Sequence, residues 1–496
     1  MSSTYDLDRV PLERVRALND APVRPDGDYV LYWMVATRRP VDSFALERAV
    51  EWAHALNRPL LVLEALRVDH PWASARVHSF VLQGMAANQR AFAARGVRYH
   101  PYVEPAPGAA SGLIESLGAR ACVVVSDDWP AFFLPRMQQA AADRLEVRLE
   151  LVDDVGLLPM GVRTKLSPSA VVFRRWYQRD LPDRLDQPPA ADPTQGAGLP
   201  GLTTLPAALE ERWPAAPALW LEGTISAVAS LPVDAAVPPV QLEGGWVAAL
   251  ARWRAFSSAG LGDYAKDRNR PDASSGLSPY LHFGHISPWR MLLDILDAAD
   301  WDPMQVGMAR GQRAGWWGLS EGAEAYLDQL VTWRELGFHH ARWNPGFFSY
   351  DGLPDWARAT LEAHTEDPRP WGFTLAELEA AATHDPVWNA AQRQLRTQGV
   401  IDGYLRMVWG KRILEWSEHP RQAWDRMHAI NDRWALDGRG PNGTSGIAWV
   451  MGRFDRPWGP RRPVFGTIRY MSSERTVKKL ALGAYLERWG DDALER

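Results

Sequence analysis

From about Asp28 to Leu185, short apolar runs alternate with amphipathic stretches, and this alternation restricts the fold more than any other feature of the chain. YVLYWMVA (29–36), PLLVLEAL (59–66), ACVVVSDD (121–128) and LEVRLELVDD (145–154) predict strands. Between them, ALERAVEWAHAL (45–56), SFVLQGMAANQRAFAARG (79–96) and FLPRMQQAAADRL (133–145) predict helices at 3.6-residue spacing. Strand–helix alternation of this kind predicts a doubly wound parallel α/β sheet. No G-x-G-x-x-G follows the first strand, so a dinucleotide fingerprint is absent and any small ligand of this domain stays unspecified.

The pattern then changes twice. QPPAADPTQGAGLPG and PVDAAVPPV mark a Pro-, Ala- and Gly-rich connector, either wrapping the surface or partly disordered. From Gly244 onward the periodicity is helical nearly throughout, as in WVAALARWRAF, PWRMLLDILDAA, YLRMVWGKRILEWS and AWDRMHAINDRWAL, with no convincing strand. The expected organisation is an α/β domain over 25–185, a connector over 186–243 and an all-helical domain over 244–496, consistent with a chain of 496 residues.

Composition excludes several classes. The single cysteine, Cys122, rules out an internal disulfide framework and a multi-Cys metal site, and it sits in a strand-like run. The adjacent pair His339 and His340 would point different ways on a helix, and there is no H-E-x-x-H, no G-x-S-x-G and no Walker A loop. MSSTYDLDRVPLERVR has no apolar leader core and no window approaches 18 apolar residues, so a cytoplasmic protein without membrane spans is expected. A net charge of −5 gives no global sign of nucleic-acid binding, so any such surface must be local.

Three local arrangements in the helical half carry chemistry. RPDASSGLSPYLHFG (270–284) gathers hydroxyls and small residues before a Pro-led helix start, which is either a phosphate seat or an ordinary capped loop. In YLRMVWGKRILEWS, Arg406, Trp409, Ile413 and Trp416 share one helical stripe; an arginine there requires a partner, and Asp437 in LDGRGPNG is the candidate. The segment from Gly452 to Lys479 interleaves Arg453, Arg456, Arg461, Arg462, Arg469, Arg475, Lys478 and Lys479 with Phe454, Trp458, Phe465 and Tyr470. Such a mixture suits phosphate contact and base stacking, or forms a solvated basic face. Thr383–Tyr470 also holds seven of the 25 tryptophans, serving as packing, as stacking surface or as oxidisable rings.

Taken together these residues resemble the photolyase/cryptochrome family, and within it the class II cyclobutane pyrimidine dimer photolyases. The resemblance rests on GLSPYLHFGHIS (276–287), LVTWREL (330–336), THDPVWNAAQ (383–392), GYLRMVWGKRILEWS (403–417), INDRWALDGRGPNG (430–443), DRPWG and VFGTIRYMS, in the family's order; the N-terminal half resembles it only loosely. It implies FAD held by Tyr264, by Ser275, Gly276, Leu277 and Ser278 at the phosphates, and by Arg406, Asp437, Gly438 and Asn431, with Asn431 facing the flavin N5. It implies an electron relay through Trp409, Trp388 and Trp416, the last nearest solvent. Trp333, Met407 and Trp449 would line the pocket for a flipped dimer, and Arg456 and Arg469 would hold the opened duplex. Trp424, Trp434 and Trp458 are left as structural. The implied partner is UV-damaged DNA, double- or single-stranded, bound by a monomer; a deazaflavin-type antenna in the N-terminal domain, or none, goes with the class.

One departure stands out. Class II enzymes carry a glutamate four residues before the position of Trp333, where this chain has Gln329 after Asp328. An amide donates to a thymine carbonyl but shares no proton with an electron-rich dimer. Repair is then weakened, redirected to another photoproduct such as the (6-4) product, or lost in favour of a flavin photoreceptor. Receptors often carry a long C-terminal extension, whereas this chain ends about 25 residues after the last motif. A helical DNA-binding protein without cofactor is the third reading, and a yellow purified protein excludes it.

Overall fold

The computed structural model describes residues 7–490. The first six residues of MSSTYDLDRVPLERVR and the last six of the 244–496 segment lie outside that range. Six strands, β1 (Val15–Ala17), β2 (Tyr29–Met34), β3 (Leu60–Leu66), β4 (Arg98–Val103), β5 (Ala121–Asp127) and β6 (Leu149–Val152), form one sheet in the order β1-β6-β5-β2-β3-β4. Every pairing is parallel except that of β1 with β6. The four strands expected from the apolar runs are present. β2 and β5 are buried at every position, as central parallel strands covered on both faces must be.

Two strands escaped the sequence reading for a physical reason: both lie at sheet edges. β4 reads RYHPYV, where Pro101 removes a backbone donor and Arg98 and His100 break the apolar run. An edge strand tolerates both. β1 has only three residues and pairs antiparallel.

The winding reverses between β2 and β5, where doubly wound sheets offer a crevice to ligands. Here the Asp127 carboxylate at the end of β5 accepts the backbone N–H groups of Val35 (2.8 Å), Ala36 and Thr37 (2.9 Å). The chain's own carboxylate thus occupies those donors, which would otherwise seat a ligand's anionic group.

The described residues form two compact units. One takes the chain up to Thr164, Asp180–Ala255 and Leu277–Pro303; the other takes Lys165–Arg179, Phe256–Gly276 and the chain from Met304 onward. Each unit draws on more than one of the segments 25–185, 186–243 and 244–496. Within the first unit the Pro-rich connector is anchored by the Trp213 indole, 2% exposed, whose Nε1 donates to the Ala109 carbonyl at 3.0 Å.

The GLSPYLHFGHIS motif shows why Leu277–Pro303 packs with the sheet. Gly284 has φ +67°, and a Cβ there would lie 2.3 Å from the Ala36 carbonyl oxygen, so only glycine permits the approach. His285 is 1% exposed; its Nδ1 accepts the Gly245 N–H at 2.9 Å, while its Nε2 has no hydrogen-bond partner among the described residues. Burial, reinforced by Arg38 and Arg39, lowers its pKa to about 3.

The folded chain therefore refuses a proton that the unfolded chain takes up near pH 6.5. Stability carried by the neutral ring is full above 6.5 and declines as pH falls toward 3. Asp42 and Asp153, raised by burial to about 6, act in the opposite sense: their contribution is full below 3.8 and is lost as pH rises to 6. Comparison with His285→Phe isolates the ring. Urea unfolding at pH 6.5 and pH 5 should show the wild type losing about 2 kcal/mol more than the variant. Equal losses would mean that another group dominates.

Candidate functional site

The helix Gly403–Trp416 carries Arg406 at its first turn, and the helix Pro420–Trp434 carries Asn431 near its end. The structure brings them together with Asp437. Arg406 donates from Nη1 to Asn431 Oδ1 at 3.2 Å and from Nη2 to both Asp437 oxygens at 3.1 and 3.3 Å. The pair is largely buried, with side-chain exposures of 17% and 14%, so removing either partner strands a charge.

The turn that presents Asp437 is built by its neighbours. Gly438 lies so close to helix Pro420–Trp434 that a Cβ would meet the Asn431 carbonyl oxygen at 2.7 Å. Arg439, in the left-handed region at φ +62°, donates to the carbonyls of Asp432, Ala435 and Leu436. On the helix Pro441–Val450, a Cβ at Gly443 would reach Asn431 Nδ2 at 3.0 Å, whereas one at half-buried Gly446 would meet nothing within 4 Å. Gly446 thus has open space beside it, on a helix packed against the one that carries Arg406.

Tyr264 belongs to a second cluster in the same unit. Its ring packs edge-on against Tyr326 (5.2 Å between centroids) and Phe256 (5.7 Å). Burial raises its phenol to about 12, so it acts only as a neutral hydroxyl. Tyr326 donates to Ser275 Oγ at 3.4 Å and thereby ties this cluster to the hydroxyl loop. Ser275 and Gly276 (φ +66°) fall in the second unit; Leu277 and Ser278 fall in the first.

The tryptophans form a continuous run. Trp409 and Trp388 lie parallel, 6.4 Å apart at 4°, and Trp388 meets Trp416 at 5.4 Å. Each indole N–H that would otherwise be orphaned is placed: Trp388 donates to the Trp409 carbonyl and Trp409 to Gln392 Oε1, both at 3.0 Å. Asp385 caps the helix Pro386–Gln398 through Val387 and Trp388 and pairs with Arg412 at 3.0 Å, joining the two helices that carry the run. Trp416, expected nearest solvent, is only 3% exposed. Beyond it lie His384 (5.5 Å) and then Trp371, stacked on His384 at 4.2 Å and 51% exposed.

Around Gln329 the backbone widens. Asp328–Trp333 is one turn of π-helix, in which the Arg334 N–H reaches back five residues to the Gln329 carbonyl; such turns concentrate at functional sites. The extra residue turns Asp328 inward, onto Arg174 at 2.7 Å, and leaves Gln329 half-buried. Trp333 and Trp449 stack face to face, 4.3 Å apart at 13°. Met407 is half-buried on a helix packed against that of Trp449. Arg456 and Arg469 are exposed, and both lie over the Trp458 ring, at 4.6 and 5.1 Å.

Comparison with known proteins decides the family. The DNA photolyase family model matches residues 30–194. The chain is 31% identical over 492 residues to the deoxyribodipyrimidine photo-lyase of Methanothermobacter thermautotrophicus, covering 96% of this chain and 98% of that protein. The chain belongs to the DNA photolyase family. It is an enzyme by that membership, and relatives of the same name from Oryza sativa (32% identical, 95% of this chain and 89% of that protein) and Potorous tridactylus (28%, 95% and 84%) cover nearly all of it. A bacterial class III photolyase from Agrobacterium tumefaciens has the same fold, with a TM-score of 0.65 at 17% identity over 93% of this chain and 86% of that one.

A photolyase of this family uses a flavin, and the residues present fit one. Arg406, Asn431 and Asp437 offer a polar edge of fixed geometry, and Gly446 on the neighbouring helix has open space beside it. At the sheet crevice the Val35 and Thr37 amides are held by Asp127. Among the described residues no group of three or more His, Cys, Asp or Glu is placed to hold a metal, and no helix is long and apolar enough to cross a membrane. Sequence reasoning missed Gln392, Tyr326 and Arg439. Gln392 lies inside the THDPVWNAAQ motif and Arg439 inside INDRWALDGRGPNG, so both were within reach of notice.

Proposed function

We propose that this photolyase is a blue-light-driven repair flavoenzyme of the class II type, splitting a UV-induced pyrimidine dimer in DNA, with the cyclobutane dimer as its first substrate. The observation that carries the reading is Arg406 holding Asn431 and Asp437 at once. Bound FAD would supply light absorption and the electron that opens the cyclobutane ring. Arg406, Asn431, Asp437 and Gly438 would hold its ring, and Tyr264, Ser275, Gly276, Leu277 and Ser278 its remaining parts. Trp409, Trp388 and Trp416 are oxidisable and near enough in sequence of contact to pass electrons inward. Gln329, Trp333, Met407 and Trp449 would receive the flipped dimer, excluding water from it, while Arg456 and Arg469 hold the strand. A monomeric, cytoplasmic protein, with a deazaflavin-type antenna or none, belongs to the same proposal.

A second reading, a flavin photoreceptor without repair, is favoured by one observation: Trp333 and Trp449 stack on each other and leave no gap for a base between their rings. Blue light on the purified, reduced protein with DNA carrying defined cyclobutane dimers or (6-4) products separates the two. Loss of the cyclobutane dimer is the expected result. Loss of the (6-4) product alone reassigns the substrate, and loss of neither favours the receptor.

A further inference from the structure

Gln392 is fully buried, and both ends of its amide are bonded. Its Oε1 accepts the Trp409 Nε1–H at 3.0 Å, and its Nε2 donates to the Glu379 carbonyl at 3.4 Å. That carbonyl takes the NH2 end, so the oxygen must face the indole. Trp388 likewise donates to an amide oxygen, the Trp409 carbonyl at 3.0 Å. The two rings are 3% and 1% exposed, which keeps bulk water from their N–H groups. The carboxylates of Glu379 and Asp385 are committed elsewhere: Glu379 to Arg433 and Trp434 Nε1, Asp385 to Arg412 and to the backbone N–H groups of Val387 and Trp388. The outer end of the run differs. Trp416 meets the imidazole of exposed His384 at 5.5 Å, and Trp371 stacks on that imidazole.

Removing one electron from an indole makes its N–H far more acidic. Where a base holds that N–H, the proton follows the electron and a neutral radical remains on the ring. The vacancy then moves on only when the proton returns. An amide oxygen accepts the hydrogen bond but does not take the proton, whereas an imidazole nitrogen can. An oxidised ring held by an amide oxygen therefore keeps its N–H and is refilled by its neighbour.

We propose that Gln392 is a positioning residue for electron transfer, holding the Trp409 indole by an oxygen that refuses its proton. Trp409 gives one electron to the light-excited flavin and keeps its Nε1–H bond. Trp388 gives one electron to Trp409, and Trp416 gives one to Trp388, with no N–H bond broken at either inner ring. The vacancy ends at Trp416, beside His384, where a soluble one-electron reductant such as ascorbate fills it and is itself oxidised. This rests on the reading of the three tryptophans as an electron relay.

The test is flash illumination of the flavin-loaded protein, with the flavin oxidised, in light and heavy water. The indole radical cation and the deprotonated neutral radical have different visible spectra, so the form of the radical is read directly. Trp388→Phe confines the vacancy to Trp409 and leaves Gln392 in place; the radical there should be the cation, with the same decay in heavy water. A neutral radical in that variant overturns the proposal. Gln392→Glu is measured at about pH 9, where a carboxyl raised by burial is largely ionised. It should leave a neutral radical on Trp409, formed more slowly in heavy water. It should also cut flavin photoreduction by ascorbate about tenfold or more, a factor of ten for each pKa unit by which the carboxylate is the better base. A cation and wild-type photoreduction in Gln392→Glu overturn the proposal. Gln392→Met fills the same space without a base, and it should keep the cation and photoreduce within a few-fold of wild type. Equal losses in the Glu and Met variants would show that Gln392 only packs the ring, which also overturns it. Wild-type photoreduction by Trp409→Phe would instead overturn the relay reading, and the proposal with it.

Discussion

Arg406→Ala is expected to emerge from purification with most of its flavin absorbance gone and with stability lowered by about 3 kcal/mol. Two effects combine. The guanidinium bridges Asn431 and Asp437, so its removal frees the asparagine amide and takes from the Asp437 carboxylate, 14% exposed, a cation that faces it at 3.1 Å. A half-buried carboxylate that loses such a cation costs more than the pair contributes, because it was desolvated on the strength of that pairing. Arg406→Lys keeps the charge but not the two-pronged geometry that reaches both neighbours, and it should recover part of the stability and less of the flavin. The ratio of flavin to protein absorbance, with urea unfolding of the same samples, reads both. A variant that keeps full flavin and wild-type stability would remove Arg406 from the site.

The second large effect is expected in the opposite direction. Gln329→Glu should raise the single-turnover rate of cyclobutane dimer splitting by roughly tenfold, about 1.4 kcal/mol of barrier. The π-turn at Asp328–Trp333 leaves position 329 half-buried while Asp328 is drawn onto Arg174, so the neighbouring acid cannot substitute for a carboxyl at 329. An amide in that place donates a hydrogen bond but has no proton to share as charge develops on the dimer. Flash illumination of reduced protein saturated with dimer DNA reports the rate apart from binding. Equal quantum yields in wild type and variant would show that Gln329 does not limit repair.

Much of this molecule is legible in the chain because its signals are local. The β2, β3, β5 and β6 runs announce themselves through apolar residues that a doubly covered parallel sheet demands. β4 does not, since an edge position lets Pro101 and His100 stand where a central strand would exclude them. The Arg406–Asp437 pair was foreseeable for a similar reason: an arginine on an apolar stripe needs an acid, and the nearby Gly-rich turn supplies one. Tyr326 was hidden because its importance lies in one hydrogen bond, to Ser275 Oγ, formed across elements far apart in sequence.

By itself the sequence determined four strands of the sheet, the helical half, the pairing of Arg406 with Asp437 and the order of the tryptophans in the chain. Each follows from periodicity or from the cost of an unpaired charge, which act over a few residues. Tertiary structure alone decided the rest. It placed Leu277–Pro303 with the sheet through the close approach at Gly284, buried Trp416 behind His384 and Trp371, and set two arginines on the Trp458 ring. Those outcomes depend on which surfaces meet, and no local spacing records a meeting between residues that the fold brings together from distant parts of the chain.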